Sequence, residues 1–464
     1  MSSPVMVPRG RRHSFAGPII LIIIGVLFLL ANFGIITNWW FLAKWWPLLL
    51  VFLGLIRLGE YYAARREGTY PPGVGGGTVV LMIFIIIAGL SISGIYKVRN
   101  EVNWGQVRDE LGADDEMMGM FGRSYNFDDQ LEKDLDPPAT TLKVVSDRGS
   151  IAVSNWDQPK VRVVVHKRVF ASSENDANSI NTQTKPTIEI ANGVATVNAN
   201  TQGAGQKGVV SDLEVFVPRK MAVEISGRHG DVNVSGREAD IHISASRGDV
   251  ILDQINGNVT ATLNNKGSLR ISKITGNVAA NGRFDDLVAM DVTGAVVVNG
   301  DVFGEAKFSK VGKGLQFHSS RTDLELAKLD GDLDLDSGDL RATNVVGPTS
   351  LNVRSKDVTL ESITGPIRIQ GEKSDVTLQI GDKQPLGPIE ISTNTGDVRL
   401  TMPPKAAFLV EGNTNNGNVN TDYSDLKTSD ENGRGKIQGS VGKGSTKIVV
   451  NTNVGDIDIR KATT

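Results

Sequence analysis

The chain has 464 residues, with 49 basic and 52 acidic side chains for a net charge of −3, 51 glycines, 6% aromatic residues and no cysteine. Near-balanced charge supplies no global field for nucleic acid, and the missing thiols exclude disulfides, thiolate metal sites and a cysteine nucleophile. Rich in glycine and poor in aromatics, a chain of this length suits several units of short strands and turns better than a helical enzyme core.

Residues 1–17 form a basic N-terminus carrying Arg9, Arg11 and Arg12. Residues 18–36 (PIILIIIGVLFLLANFGII) and 78–96 (TVVLMIFIIIAGLSISGIY) hold no charge and approach the ~20 residues that a spanning helix needs. Between them, residues 41–58 contain Lys44, Pro47 and Arg57, and span only if Lys44 snorkels to the interface. Trp39, Trp40, Trp45 and Trp46 mark the headgroup layer where two helices would turn. Arginines before the first segment and Arg57, Arg65 and Arg66 after the second place the N-terminus in the cytoplasm by the positive-inside rule. Three crossings then export everything after Tyr96; a re-entrant second segment would leave it in the cytoplasm, and a cleaved signal peptide is the alternative for the first. The expected arrangement is a multi-pass protein of the bacterial inner membrane with its C-terminal domain periplasmic or extracellular.

Residues 97–138 read as an acidic tether with some local structure, closed by Pro137 and Pro138. A period-two pattern follows from Thr141, with one short helix expected over 174–183, capped by Ser172 or Ser173. Next comes a recurrent triplet: Gly230-Asp231-Val232, Gly248-Asp249-Val250, Gly257-Asn258-Val259, Gly276-Asn277-Val278, Gly396-Asp397-Val398 and Gly455-Asp456-Ile457. Spacings of nine and ten dominate, with an irregular interval between Gly294 and Gly331. Each unit is a strand with one buried face, unstable alone, so two units per coil of about 18–20 residues would stack Gly338, Lys356 and Ser374 in a mostly parallel β-solenoid over 139–464. Glycine, Asn and Asp at the corners would supply positive φ. An antiparallel sandwich with regular turns is the alternative, and residues 433–450 read as a long turn before a last strand.

No residue of the sequence stands in a recognisable catalytic, cofactor-binding or metal-ligating pattern. In Gly442–Thr446 (GKGST), Gly444 separates Lys443 from Ser445, which breaks the phosphate-loop order. Asp332, Asp334 and Asp336 begin like a calcium loop, but Ser337 replaces its turn glycine and Thr343 its bidentate Glu. A strand would place the three carboxylates on one solvated face. The five histidines are scattered, and His242 alternates outward between Ile241 and Ile243. Met117, Met118, Met120 and Phe121 read as ordinary packing.

The run GPIILIIIGVLFLLANFGI…WWPLLLVFLGLIRL resembles the transmembrane region of LiaI/LiaF-like proteins, and the Gly-Asp-Val repeats resemble the bacterial adhesin-type β-strand-repeat domain of unknown function. LiaF-like proteins usually carry four helices where three are read here. The first resemblance implies a membrane inhibitor of an envelope-stress sensor system; neither implies a catalytic residue. The expectation is a membrane-anchored, mainly β, non-enzymatic envelope protein: N-terminal transmembrane helices, then a solenoid used for adhesion or scaffolding, or a LiaF-like regulator. A polysaccharide-active enzyme is the third reading. Partners would be the lipid bilayer and an envelope protein or glycan, with no nucleic acid and no cofactor.

Overall fold

The computed structural model describes residues 123–136, 138–201, 208–381 and 386–462, together with Leu55, Leu58 and Tyr62. The chain divides into two compact units, Met1–Leu111 and Gly112–Thr464. In the first, Leu55, Leu58 and Tyr62 are helical and exposed. The apolar segments at 18–36, 41–58 and 78–96 otherwise lie outside the described residues, as do Met117, Met118, Met120 and Phe121; among the described residues no helix is long and apolar enough to cross a membrane.

The second unit is mainly β and built from two sheets. In the middle of the first sheet, Val232–Arg237, Val250–Ile255, Leu269–Ile274, Leu287–Val292 and Ala306–Val311 pair in parallel, in that order. On the second sheet, Ala222–His229, Ile241–Arg247, Val259–Lys266, Val278–Phe284, Val296–Val302 and Leu315–His318 do the same. The chain alternates between the sheets, so one coil contributes one strand to each, and equivalent residues recur about every eighteen positions, as in Val250, Leu269 and Leu287. This parallel stacking rules out the antiparallel sandwich. Val250 and Leu252 from one sheet and Val259, Ala261 and Leu263 from the other enter a single core. Each buried Val or Leu contributes about 1.5–3 kcal/mol, and no strand can bury its apolar face without the facing sheet.

The corner triplet divides three tasks. A Cβ on Gly248 would lie 2.2 Å from the carbonyl oxygen of Gly230, and one on Gly276 2.3 Å from that of Gly257, because stacked corners abut. Gly248 also has φ +118°, whereas φ of Gly276 is not in the positive region. Close approach is therefore the general requirement, and positive φ, the expected reason, holds only at some corners. The Asp or Asn side chain accepts a hydrogen bond from the next coil: Asp249 N donates to Asp231 Oδ1 at 2.9 Å, Ser268 N to Asp249 Oδ1 at 2.8 Å, and Asn277 N to Asn258 Oδ1 at 3.0 Å. The apolar third residue enters the core.

The irregular interval after Gly294 is a coil that runs backwards. Thr322–Leu326 pairs antiparallel with Leu315–His318 on one side and Thr349–Val353 on the other. On the opposite sheet, Leu329–Leu335 pairs antiparallel with both Ala306–Val311 and Asp339–Thr343. Two hairpins make the reversal, and each is pinned by a carboxylate. Asp301 Oδ1 accepts from Ser320 N at 2.9 Å and Ser320 Oγ at 2.7 Å; Asp336 Oδ1 accepts from Gly338 N and Asp339 N, both at 2.7 Å. These hydrogen bonds to the charged form hold both carboxyls below the usual range, with the backbone donor first in each case. Parallel stacking then resumes through Asp357–Ile363, Val376–Ile380 and Val398–Met402 on the first sheet and Gly365–Lys373 and Leu386–Thr395 on the second.

Both ends depart from chain order. The C-terminal strands Lys447–Val454 and Ile457–Lys461 lie between the coil at Leu386–Met402 and the later-placed strands Phe408–Thr414 and Val419–Thr421, pairing in parallel on both sides. At the other end, Thr141–Arg148 and Ile151–Asn155 sit between Val194–Asn198 with Val209–Val217 and the first regular coil. Antiparallel strands finish both sheets at the N-terminal end and the second sheet at the C-terminal end, where the first sheet stops at the parallel strand Val419–Thr421. Residues 433–450 are therefore more than a turn: Arg434–Val441 is a strand in a hairpin with Leu426–Glu431. Part of the acidic segment, Arg123–Asp134, is the edge strand of the first sheet, antiparallel to Lys160–Ala171. Tyr125, Phe127, Asp129 and Leu131 share its half-buried face, and its outward Asp, Gln and Glu residues blunt the exposed edge. The short helix forms as expected, Glu174–Gln183, with Ser173 as N-cap accepting from Asp176 N.

Candidate binding surface of the coil

With one residue type inside and another outside, every strand of the second sheet offers outward positions that register places side by side. One column takes a single residue from each of twelve adjoining strands. It begins Ser226, Ser244, Thr262, Asn281 and Asn299, passes His318 and Asp323 at the reversal, and ends Asn352, Gln370, Ser392, Asn451 and Asn413. At the usual strand spacing of about 4.8 Å this is a polar stripe roughly 50 Å long. Several members hold one another in place: Asn299 Nδ2 donates to Asn281 Oδ1 at 3.2 Å, and Asn413 Nδ2 to Asn451 Oδ1 at 3.3 Å. Beside it, Asn415, Asn453 and Asn394 form a second amide ladder through bonds of 2.8 and 3.4 Å. Reversing one coil leaves the stripe unbroken because it alters strand direction and not side-chain alternation.

A groove of about 640 Å³ lies along the same sheet in its second half. Pro348, Pro366 and Pro388 line it, one per coil, each directly after a corner glycine. Glu325, Ser350, Arg368, Glu390 and Lys447 are also in its lining. Arg368 and Glu390 are paired at 3.7 Å, and Gln316 Nε2 donates to Glu325 Oε1 at 3.4 Å. Register runs Glu325, Ser350, Arg368, Glu390, so the two glutamates stand three strand spacings apart, about 14 Å at the backbone. Ser350 and Arg368 stand between the two glutamates in register, and Arg368 is the partner of Glu390.

The residues singled out by sequence take structural places. Asp332 and Asp334 point outward from one strand, where Asp332 Oδ1 accepts from Ser309 Oγ at 2.6 Å; Asp336 does not join them but caps the hairpin beyond the strand. Among the described residues no group of three acidic or imidazole side chains could hold a metal ion. Gly442–Thr446 is a turn between two strands, with Gly444 packed against the Ala407 backbone. His242 is exposed on the outward face. Gly338, Lys356 and Ser374 do stack, and the Lys356 ammonium, lowered by burial, bonds the Asp336 carbonyl.

Sequence reasoning missed the continuous stripe and the proline-lined groove. The Gly-Pro dipeptides at 347–348, 365–366 and 387–388 were the available signal for the groove, since they repeat once per coil.

Residues 138–460 match the family described as Toastrack DUF4097, and residues 15–58 match the LiaI-LiaF-like transmembrane region. No curated protein matches the chain. Among solved structures, a provisionally named cell adhesion protein from Clostridium sporogenes shares 11% identity over 73% of this chain and 100% of its own, with a TM-score of 0.16. A provisionally named lipid binding protein from Parabacteroides distasonis shares 8% over 74% and 98%, at a TM-score of 0.24. A provisionally named adhesin from the same organism shares 11% over 74% and 98%, at 0.16. At such scores these likenesses carry no argument here.

Proposed function

The chain belongs to the Toastrack DUF4097 family, and from that premise we propose that it is a non-enzymatic protein of the bacterial cell envelope whose coil serves as an adhesion or scaffolding surface. The observation that carries this reading is the unbroken polar stripe across twelve strands of the second sheet, amide or hydroxyl at every position but His318 and Asp323. Regularly spaced polar groups suit an extended polar partner, a glycan or another envelope protein, because each coil repeats nearly the same contact. In this reading residues 18–96 form three transmembrane helices, the N-terminus faces the cytoplasm, and residues 139–464 lie outside the membrane. The boundaries 1–17, 18–96, 97–138 and 139–464 are part of the proposal.

The LiaI-LiaF-like region at 15–58 favours a second reading, a regulator of a membrane stress sensor. Exchanging residues 1–96 for an unrelated anchor separates the two. An adhesive surface keeps its attachment after the exchange, whereas a regulator loses its effect on the sensor. Crosslinking intact cells with a membrane-impermeant reagent tests the topology: labelling of residues 139–464 is expected, and its absence where the reagent has access would sink the exported arrangement.

A further inference from the structure

Lys167 is among the largest fully buried side chains of the unit, in a strand whose other residues on that face are apolar. The odd-numbered residues Val161, Val163 and Val165 enter the coil core, and Val169 and Ala171 continue onto a separate cluster under the helix Glu174–Gln183. The strand thus runs past the end of the coil, and the helix covers the overhang. In that wall, Lys167 Nζ lies 2.9 Å from Asn181 Oδ1, 2.7 Å from the Thr184 carbonyl oxygen and 4.0 Å from Asp129 Oδ2. Asp129 Oδ2 is buried without a hydrogen-bond partner. Phe127, on the same edge strand as Asp129, stands directly opposite Lys167 in register.

We propose that this arrangement forms an intramolecular isopeptide bond between Lys167 and Asn181, with Asp129 as the proton relay. The Thr184 carbonyl fixes one N–H of the amine, the orphaned Asp129 oxygen is placed to exchange a proton with it, and the carboxamide of Asn181 is in contact. The neutral amine attacks Asn181 Cγ. The Nζ–Cγ bond forms, the Cγ–Nδ2 bond breaks, and Nδ2 leaves as ammonia, taking up a proton that Nζ gives up through Asp129. No electrons are exchanged and no cofactor is consumed. Burial favours the neutral amine by lowering the ammonium pKa; Asp129 opposes that shift and Lys185 assists it. The product ties the strand Lys160–Ala171 to the helix Glu174–Gln183 that covers it.

The test is mass spectrometry of the full-length chain, extracted from membranes, denatured and digested. The expected result is an intact mass lower than the sequence mass by one ammonia, and a branched peptide joining residues around Lys167 to those around Asn181. Asp129→Asn, nearly isosteric, should restore the full mass and release two linear peptides with an unchanged circular dichroism spectrum; Lys167→Arg should do the same. A wild-type chain of full sequence mass with Lys167 and Asn181 in separate peptides overturns the proposal. So does an ammonia loss that maps to an Asn-Gly succinimide such as Asn192-Gly193, or a branched peptide that persists in Asp129→Asn.

Discussion

The coils between Val232 and Val311 and the C-terminal end of the column are made from similar strands, yet they are held together differently. In the middle, each coil stacks on its immediate predecessor, so every pairing spans about one repeat. At the end, Lys447–Val454 pairs with Leu386–Thr395, across the chain that forms Phe408–Val441. Local stacking can propagate from any point, while the end closes only when distant segments meet. The regular stretch should therefore tolerate loss of the end, and the end should not survive loss of its inserted coil.

Deleting residues 447–464 puts that difference to its hardest trial. Leu386–Thr395 and Phe408–Thr414 both lose a partner, and hydrogen exchange should show their amides unprotected while those of 250–311 keep their protection. Equal loss across the column would mean that the two regions are one cooperative unit. Phe308→Ala removes a buried ring packed edge-on against Phe317 at 6.2 Å, and should cost about 3–5 kcal/mol in urea unfolding. Gly276→Ala tests stacking by itself: its Cβ meets backbone at 2.3 Å, for a loss of about 2–3 kcal/mol. Gly193→Ala, at φ +78° with nothing within 4 Å, should lose only about 1 kcal/mol, from backbone strain alone.

Acid should loosen the reversed coil. Because the Asp301 and Asp336 carboxyls are held below their usual range, their stabilisation is present above the unfolded carboxylate pKa of about 3.9 and is lost as pH falls through the folded values. Protection factors, corrected for the intrinsic exchange rate at each pH, should fall within residues 319–338 below about pH 4, and the double change Asp301→Asn with Asp336→Asn should flatten that dependence. The smallest effect is a gain. Lys273 has φ 55° in a column with Gln254, Asp291 and Lys310, so Lys273→Asn should add about 0.5 kcal/mol, measured as a shift in the urea midpoint.

The repeating middle was legible because one constraint, a strand with a single buried face, writes itself into every unit as Val250/Leu252 or Val358/Leu360. The helix cap was legible to within one residue, Ser172 or Ser173, because capping is local, and the structure places it at Ser173. Neighbour order at the ends was not. Nothing in Ile448 or Val450 distinguishes a strand that follows its predecessor from one that slips between two earlier strands, because both present the same alternating face. The reversed coil left only a disturbed spacing after Gly294, since its strands Thr322–Leu326 and Leu329–Leu335 alternate as their neighbours do. The surface stripe depends on register between strands, which no single strand encodes. The proline groove was half visible, its repeat present and its concavity not.

The backward coil has an architectural consequence. Two reversals in succession restore the original heading, so the strands of Leu315–His318 and Thr349–Val353 point the same way with an opposed strand between them. A rung of this kind works as a removable spacer: its insertion or loss changes the height of the column while leaving polarity, core and outward columns in phase on both sides.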